Sequence, residues 1–202
     1  MIDSKVAYHE YVRTIDKNNF YIDLSEDDCL GEGTTRSNNG QLIFSSVGID
    51  KLFLQDEISD CDFTSGMVAI FHENRHVEQL NEIHQSTEEY TKPLKYSYYA
   101  MQCCIDYGTD NYFNSPREIE AELYGVYWAH HTLCDTFGCE KANSMICEYV
   151  NLRMDNDVSF VHPKQKYMSV DDIFTDLADA YEASITAQRT YDNVESKYGL
   201  KL

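Results

Sequence analysis

Residues 62–85, DFTSGMVAIFHENRHVEQLNEIHQ, decide how the chain is read. Apolar side chains at 67, 70, 71, 77, 80 and 83 return at the spacing of one helix face, and Asp62, Thr64 and Ser65 are candidate caps for its start. Inside this helix stands His72-Glu73-Asn74-Arg75-His76. Four residues apart on a helix, two imidazoles project side by side and can converge on one tetrahedral zinc, with Glu73 placed to take a proton from water activated there. In a chain of this composition the pattern arises by accident with a chance of roughly 2%. The competing reading is a solvated polar helix face. Against it stand the apolar run Met67-Val68-Ala69-Ile70-Phe71 just before the motif and a third ligand candidate downstream.

A catalytic zinc usually has three protein ligands and one open position. The same helix does not supply the third: where HExxHxxGxxH would place Gly and His, this chain has Gln79 and Glu82. His84 lies about 120° round the helix from His72, which suits a structural or solvent-facing role. A second segment, Ser115-Pro116-Arg117-Glu118-Ile119-Glu120-Ala121-Glu122-Leu123-Tyr124-Gly125, offers a better source. Ser115 as N-cap and Pro116 at the first helical position predict a helix from 116 to about 134. On it Glu118, Ala121, Glu122 and Gly125 share a face while Glu120 points away, and the small residues at 121 and 125 permit a close helix–helix approach. Glu118 is the expected third ligand. Glu122, one turn on, is expected either to hydrogen-bond a ligating histidine from behind or to substitute for Glu118. The competing account makes Glu118 a capping-box residue without a metal role.

The first sixty residues read as β-rich. NFYIDL at 19–24 alternates, QLIFSSVGI at 41–49 is a second strand candidate, VAYHEYV at 6–12 a third, and GEGTTRSNNG at 31–40 reads as loop. After Asp62 the pattern turns helical. Beyond 62–85 it predicts helices at about 94–106 behind Pro93, 116–134, 140–153 and 170–190 behind Ser169, with YGTDNYFNS (107–115) and a polar segment containing His162 and Pro163 as loops. The expected organisation is one domain over 1–202, with a β-rich part at 1–60 and a mainly helical part at 62–202.

HExxH followed by Pro-x-Glu-x-x-Ala resembles the gluzincins, the thermolysin-type zinc peptidases, in the reduced form found in small bacterial and phage proteins. It is similar in particular to the ImmA/IrrE-type peptidase domains and to small proteins carrying HExxHxxQ, here His76 followed by Gln79, then PxExxA, here Pro116, Glu118 and Ala121. The match covers roughly 67–84 and 112–126. Where ImmA/IrrE proteins continue with an aromatic-Ala pair and Leu-Leu-x-Pro, this chain has Tyr124-Gly125 and then Val-Tyr-Trp. The resemblance implies one zinc held by His72, His76 and Glu118, with Glu73 as general base. It also implies an α+β fold in which a short N-terminal sheet precedes a helical bundle carrying HExxH on the active-site helix and the Glu ligand on a later one. A strand near that helix would pair with an extended peptide, and 41–49 is the candidate by position.

The 16 Lys+Arg against 35 Asp+Glu leave a net charge of −19, and no basic cluster interrupts it. Such a chain is repelled by nucleic acid and by anionic membrane surfaces. No apolar run approaches the roughly 20 residues of a membrane span. The start, MIDSKVAYHEYVRT, lacks the basic and apolar regions of a signal peptide, so the expected location is cytoplasmic. Acidity would steer basic substrates or partners inward. The seven cysteines, at 29, 61, 103, 104, 134, 139 and 147, contain no CxxC and read as small buried hydrophobes, with a zinc site built from Cys134, Cys139, Cys147, His130 and His131 as the weaker alternative. Candidate oxyanion donors are Tyr112, Tyr124, His130, His131 and His162, and the sequence does not choose among them. The leading expectation is a zinc metallopeptidase or peptidase-like hydrolase acting on a peptide or protein. The alternatives are a zinc-binding regulatory module of a bacterial or phage mobile element with little turnover, and an acidic protein that occupies a partner's basic surface.

Overall fold

The computed structural model describes residues 1–30, 36–38, 41–49, 51–85, 115–155 and 166–189. It is a mainly helical α+β arrangement. A short strand β1 (Ile2–Asp3) leads into helix α1 (Ser4–Asn18), then come β2 (Ile22–Leu30), β3 (Arg36–Asn38), β4 (Gln41–Gly48), a single turn α2 (Lys51–Leu54) and β5 (Glu57–Ile58). Four longer helices follow: α3 (Asp60–Gln85), α4 (Pro116–Phe137), α5 (Cys139–Asp155) and α6 (Val170–Arg189). Expected elements at 94–106 and 107–114 and the segment holding His162 and Pro163 lie outside the described residues. Among the described residues no helix is long and apolar enough to cross a membrane.

The expectation of a strand at 6–12 is wrong, because those residues lie in α1. Asp3 caps the helix, its Oδ1 accepting from the backbone N–H groups of Lys5 and Val6 at 2.9 and 3.2 Å. Ala7, Tyr11 and Thr14 then fall on one buried face, a spacing that only a helix provides. The N-terminal part is therefore not purely β-rich. Asn19, left-handed at φ 53°, ends α1 and turns the chain into β2.

β4 lies between β2, parallel to it with Ile22 opposite Ser45 and Leu24 opposite Val47, and β3, antiparallel to it with Arg36 opposite Phe44. Residues 36–38 are thus strand where loop is expected from composition. The two partners take successive stretches of β4, β3 pairing with Gln41–Phe44 and β2 with Ser45–Gly48. β1 and β5 form a separate antiparallel pair. Alternation puts Ser45, Val47 and Ile49 on the same face, all fully buried. This sheet packs against α3, where Phe20 meets Phe71 edge-on at 5.4 Å between ring centres.

Helix α3 begins two residues earlier than its candidate caps. Ser59 is the cap: its Oγ accepts from Asp62 N–H at 2.9 Å and donates to the Asp62 carboxylate at 2.8 Å, a reciprocal closure of the first turn. Thr64, already inside, returns its hydroxyl proton to the Asp60 carbonyl. At 26 residues α3 is about 39 Å long. Its first half docks on α1, where Tyr11 stacks on Phe63 and donates to the Phe63 carbonyl at 2.8 Å. Gly66 makes room for that ring, since a Cβ there would lie 2.6 Å from Tyr11 Cζ. Gly66→Ala is expected to cost about 1–3 kcal/mol of stability, the usual range for overpacking, read as a lower denaturant midpoint.

One buried core joins these elements, from Ile2 and Ala7 through Phe63, Met67 and Ile70 to Ile119, Leu133, Ile146, Ile173 and Leu177. Helix α4 starts where expected, with Ser115 Oγ accepting from Glu118 N–H. It approaches α3 tightly at Gly125, where a Cβ would meet the Val68 carbonyl oxygen at 2.9 Å. Helix α5 packs on α4 and inserts Met145, Ile146 and Tyr149. Ser169 caps α6 by accepting from Asp171 N–H at 3.2 Å.

Candidate metal centre

The second half of α3 and the first half of α4 face one another across a cluster of imidazoles and carboxylates. His72 and His76, one turn apart, stand edge to face with ring centres 4.7 Å apart. The ligating atoms of His72, Glu73 and His76 lie within 4.8 Å of one another, so these three could hold a metal ion. Glu118 enters from α4. Its Oε2 is 3.4 Å from Nε2 of His72 and 3.4 Å from Nε2 of His76. Its Oε1 is buried, has no hydrogen-bond partner and sits 3.8 Å from Arg117 Nη1. Capping by Ser115 uses only the Glu118 backbone N–H, which leaves its carboxylate free to turn to the histidines. Glu122, one turn on, reaches behind His72 with Oε2 3.2 Å from Nδ1. Glu120 points away from both histidines, as its helix position requires, and pairs with Arg75 at 2.8 Å.

Three further residues complete the surroundings, and none is apparent from the sequence pattern. Ser45 on β4 donates to Glu73 Oε2 at 3.1 Å. Tyr149 on α5 donates to Glu122 Oε1 at 3.1 Å, and Arg153 donates to the Tyr149 oxygen at 2.6 Å. Tyr149 and Arg153 are four apart on one helix, which is a sequence signal for a shared face, but nothing in the local pattern pairs that face with Glu122. Gln79, noted only as part of a motif, has a specific contact: its Oε1 is 2.8 Å from His76 Nδ1.

The charges are strongly coupled. Burial opposes protonation of His72, but Glu118 and Glu122, one on each ring nitrogen, together lift its pKa to about 10. Burial likewise opposes ionisation of Glu122, and Arg153 with His72 and Tyr149 overcomes it, bringing the carboxyl down to about 2. Glu118 is held well below the usual carboxylate range against its own burial by the two imidazoles. Without metal the cluster therefore behaves as a buried imidazolium between carboxylates. Because the His72 pKa is raised on folding, its contribution to stability is complete below its unfolded value of 6.5 and is lost as pH rises through about 10. Because that of Glu122 is depressed, its contribution is complete above 4.5 and is lost as pH falls through about 2. Urea midpoints of the metal-free protein are expected to peak between these limits and fall on both sides. Replacing His72 with Phe should remove its share of the alkaline limb.

The remaining candidates lie elsewhere. Tyr124 donates to Glu78 at 3.3 Å, its hydroxyl pushed up to about 12 first by burial and then by that carboxylate. His130 is engaged by Asn143 at 2.7 Å and Cys134 at 3.5 Å, and His131 packs against the rings of Tyr127 and Trp128. None of these is brought to His72 and His76. Tyr112, His162 and the side chain of His84 lie outside the described residues. Cys61, Cys134, Cys139 and Cys147 are free thiols, and among the described residues the cysteines form no metal-holding group. Cys139 is exposed, so it is not the buried hydrophobe expected of it.

Comparisons with protein-family models, with curated proteins and with solved structures find no match for this chain.

Proposed function

We propose that this protein is a zinc-dependent metallopeptidase, or a peptidase-like hydrolase, of the gluzincin type, with His72, His76 and Glu118 as ligands to one zinc and Glu73 as general base. The observation that carries this reading is the pair of equal 3.4 Å separations between Glu118 Oε2 and the two Nε2 atoms. Donors bonded at about 2.0–2.1 Å to a tetrahedral ion stand about 3.3–3.4 Å apart, so Glu118 Oε2 has the spacing of a fellow zinc ligand from each of the two imidazole nitrogens. The donor set of two imidazoles and one carboxylate suits the same ion, and the unpartnered Glu118 Oε1 marks a carboxylate whose hydrogen bonding the protein alone does not complete.

Zinc, when bound, supplies a Lewis acid that acidifies water and polarises a carbonyl. The chain supplies the rest. Glu73, buried and oriented by the Ser45 hydroxyl, takes the proton of the attacking water and delivers it to the amine of the leaving peptide. Glu122 and Gln79 hold the two imidazoles from behind. The substrate class is a peptide or protein.

The test is metal content. One zinc per chain is expected in protein purified without chelator, and His76→Ala is expected to lose it. Zinc at far less than one per chain in wild-type protein supplied with the metal would overturn the reading. Zinc bound without any cleavage of a broad peptide library would leave a regulatory zinc module in its place.

A further inference from the structure

A histidine can bind a metal through either ring nitrogen, and the one it uses is the one that carries no proton. Two hydrogen-bond chains, one behind each imidazole, bear on that choice here. Behind His72, the chain begins at Arg153, whose guanidinium can only donate, so the Tyr149 oxygen that it contacts at 2.6 Å must accept. The single Tyr149 proton is then directed to Glu122 Oε1 at 3.1 Å. The Glu122 carboxylate accepts on both oxygens, so the contact of Oε2 with His72 at 3.2 Å requires the proton on Nδ1. Nε2 is left as the metal-binding nitrogen, the one facing Glu118.

The chain behind His76 runs through different chemistry to the same end. Gln79 Nε2 donates to the Arg117 carbonyl oxygen at 2.9 Å and to the Glu120 carboxylate. Both are obligate acceptors, which fixes the amide with its nitrogen toward α4 and its oxygen toward His76. That oxygen has no proton to give, so the 2.8 Å contact places the proton on Nδ1 of His76 as well. Arg75 donates to the same Glu120 carboxylate at 2.8 Å. Gln79 is fully buried and Tyr149 nearly so, which leaves water little opportunity to reverse either chain.

We infer that Arg153, Tyr149 and Gln79 are positioning residues that hold a proton on Nδ1 of both histidines, so that Nε2 of each ring is the nitrogen given up to a shared metal. The inference rests on the zinc reading above and deepens it. Without this restraint either ring nitrogen can be the one that takes the metal, and binding must first select the productive arrangement.

Zinc affinity of the 202-residue chain, measured by competition with a chromophoric chelator, tests it together with long-range proton–nitrogen NMR of the imidazoles in the zinc-loaded state. Tyr149→Phe and Gln79→Met are each expected to weaken zinc binding by about tenfold, the lower end of the effect of such outer partners. Arg153→Met should act in the same direction, and Arg153→Lys, which also can only donate, should keep wild-type affinity. The NMR should show Nδ1–H on both metal-bound rings of the wild type. A structural role alone would lower the stability of the metal-free protein without changing affinity or the bound nitrogen. Wild-type affinity in both Tyr149→Phe and Gln79→Met, or metal on Nδ1 of either ring in the wild type, overturns the inference. Absence of zinc binding by the wild type overturns instead the metal reading on which it rests.

Discussion

Glu73→Gln is expected to keep its zinc and lose about 10²–10⁴-fold of peptide cleavage, the range associated with a positioned general base. The substitution is close to isosteric, and the amide oxygen can still accept the Ser45 hydroxyl, so the buried site on β4 and α3 stays filled. What disappears is the ability to take a proton. The same variant separates two arrangements of the site, because His72, Glu73 and His76 are close enough to hold an ion by themselves while Glu118 is an alternative third donor. Were Glu73 a ligand, Glu73→Gln would release the metal and Glu118→Ala would keep it; the proposed arrangement requires the reverse. Zinc content and cleavage of a peptide library, read on the two variants side by side, give the answer. Cleavage undiminished in Glu73→Gln would remove it from the base role.

The second large effect is expected at Gly125. In the interior of a helix, Gly→Ala ordinarily gains about 1 kcal/mol. Here the added Cβ would lie 2.9 Å from the Val68 carbonyl oxygen and 3.2 Å from His72 Cβ. The first contact is with backbone, which cannot swing aside, so α3 and α4 must separate. Overpacking costs about 1–3 kcal/mol, enough to reverse the sign of the propensity gain. Gly125→Ala is expected to lower the urea midpoint and Gly125→Val to lower it further. Because the displaced atoms belong to the turn that carries His72, both variants should also bind zinc more weakly. A more stable Gly125→Ala protein would show that the helices are not in contact there.

Local rules were enough for some parts of this molecule. The HExxH spacing, the Ser115-Pro116 start of α4 and the sharing of one face by Glu118, Ala121, Glu122 and Gly125 are all one-helix regularities, and the structure has each of them. Failures occurred where two local patterns compete. VAYHEYV alternates well enough for a strand, and it is the Asp3 cap together with burial of Ala7, Tyr11 and Thr14 that decides for helix. Asp62, Thr64 and Ser65 all suit a cap, but Ser59 takes that place and Asp62 serves it from inside the first turn. Ser45 has no local signature, and the i, i+4 spacing of Tyr149 and Arg153 marks a shared face without saying what it meets. Their contacts with Glu73 and Glu122 exist only once the sheet and α5 have docked on α3 and α4.

The separation in sequence between His76 and Glu118 has a kinetic consequence. Closing about 42 residues of intervening chain costs about 3 kcal/mol of entropy beyond the constant for closure itself, and this is spent before the two helices reward it. An isolated α3 can present two imidazoles but not Glu118, so a growing or refolding chain would hold a metal only weakly until α4 has docked. Binding of a metal there would then belong to the finished state, beyond the folding barrier. Interactions of that kind leave the folding rate nearly unchanged and slow unfolding. A loaded centre would therefore act as a latch on the α3–α4 seam, lengthening the lifetime of the native protein without hastening its birth.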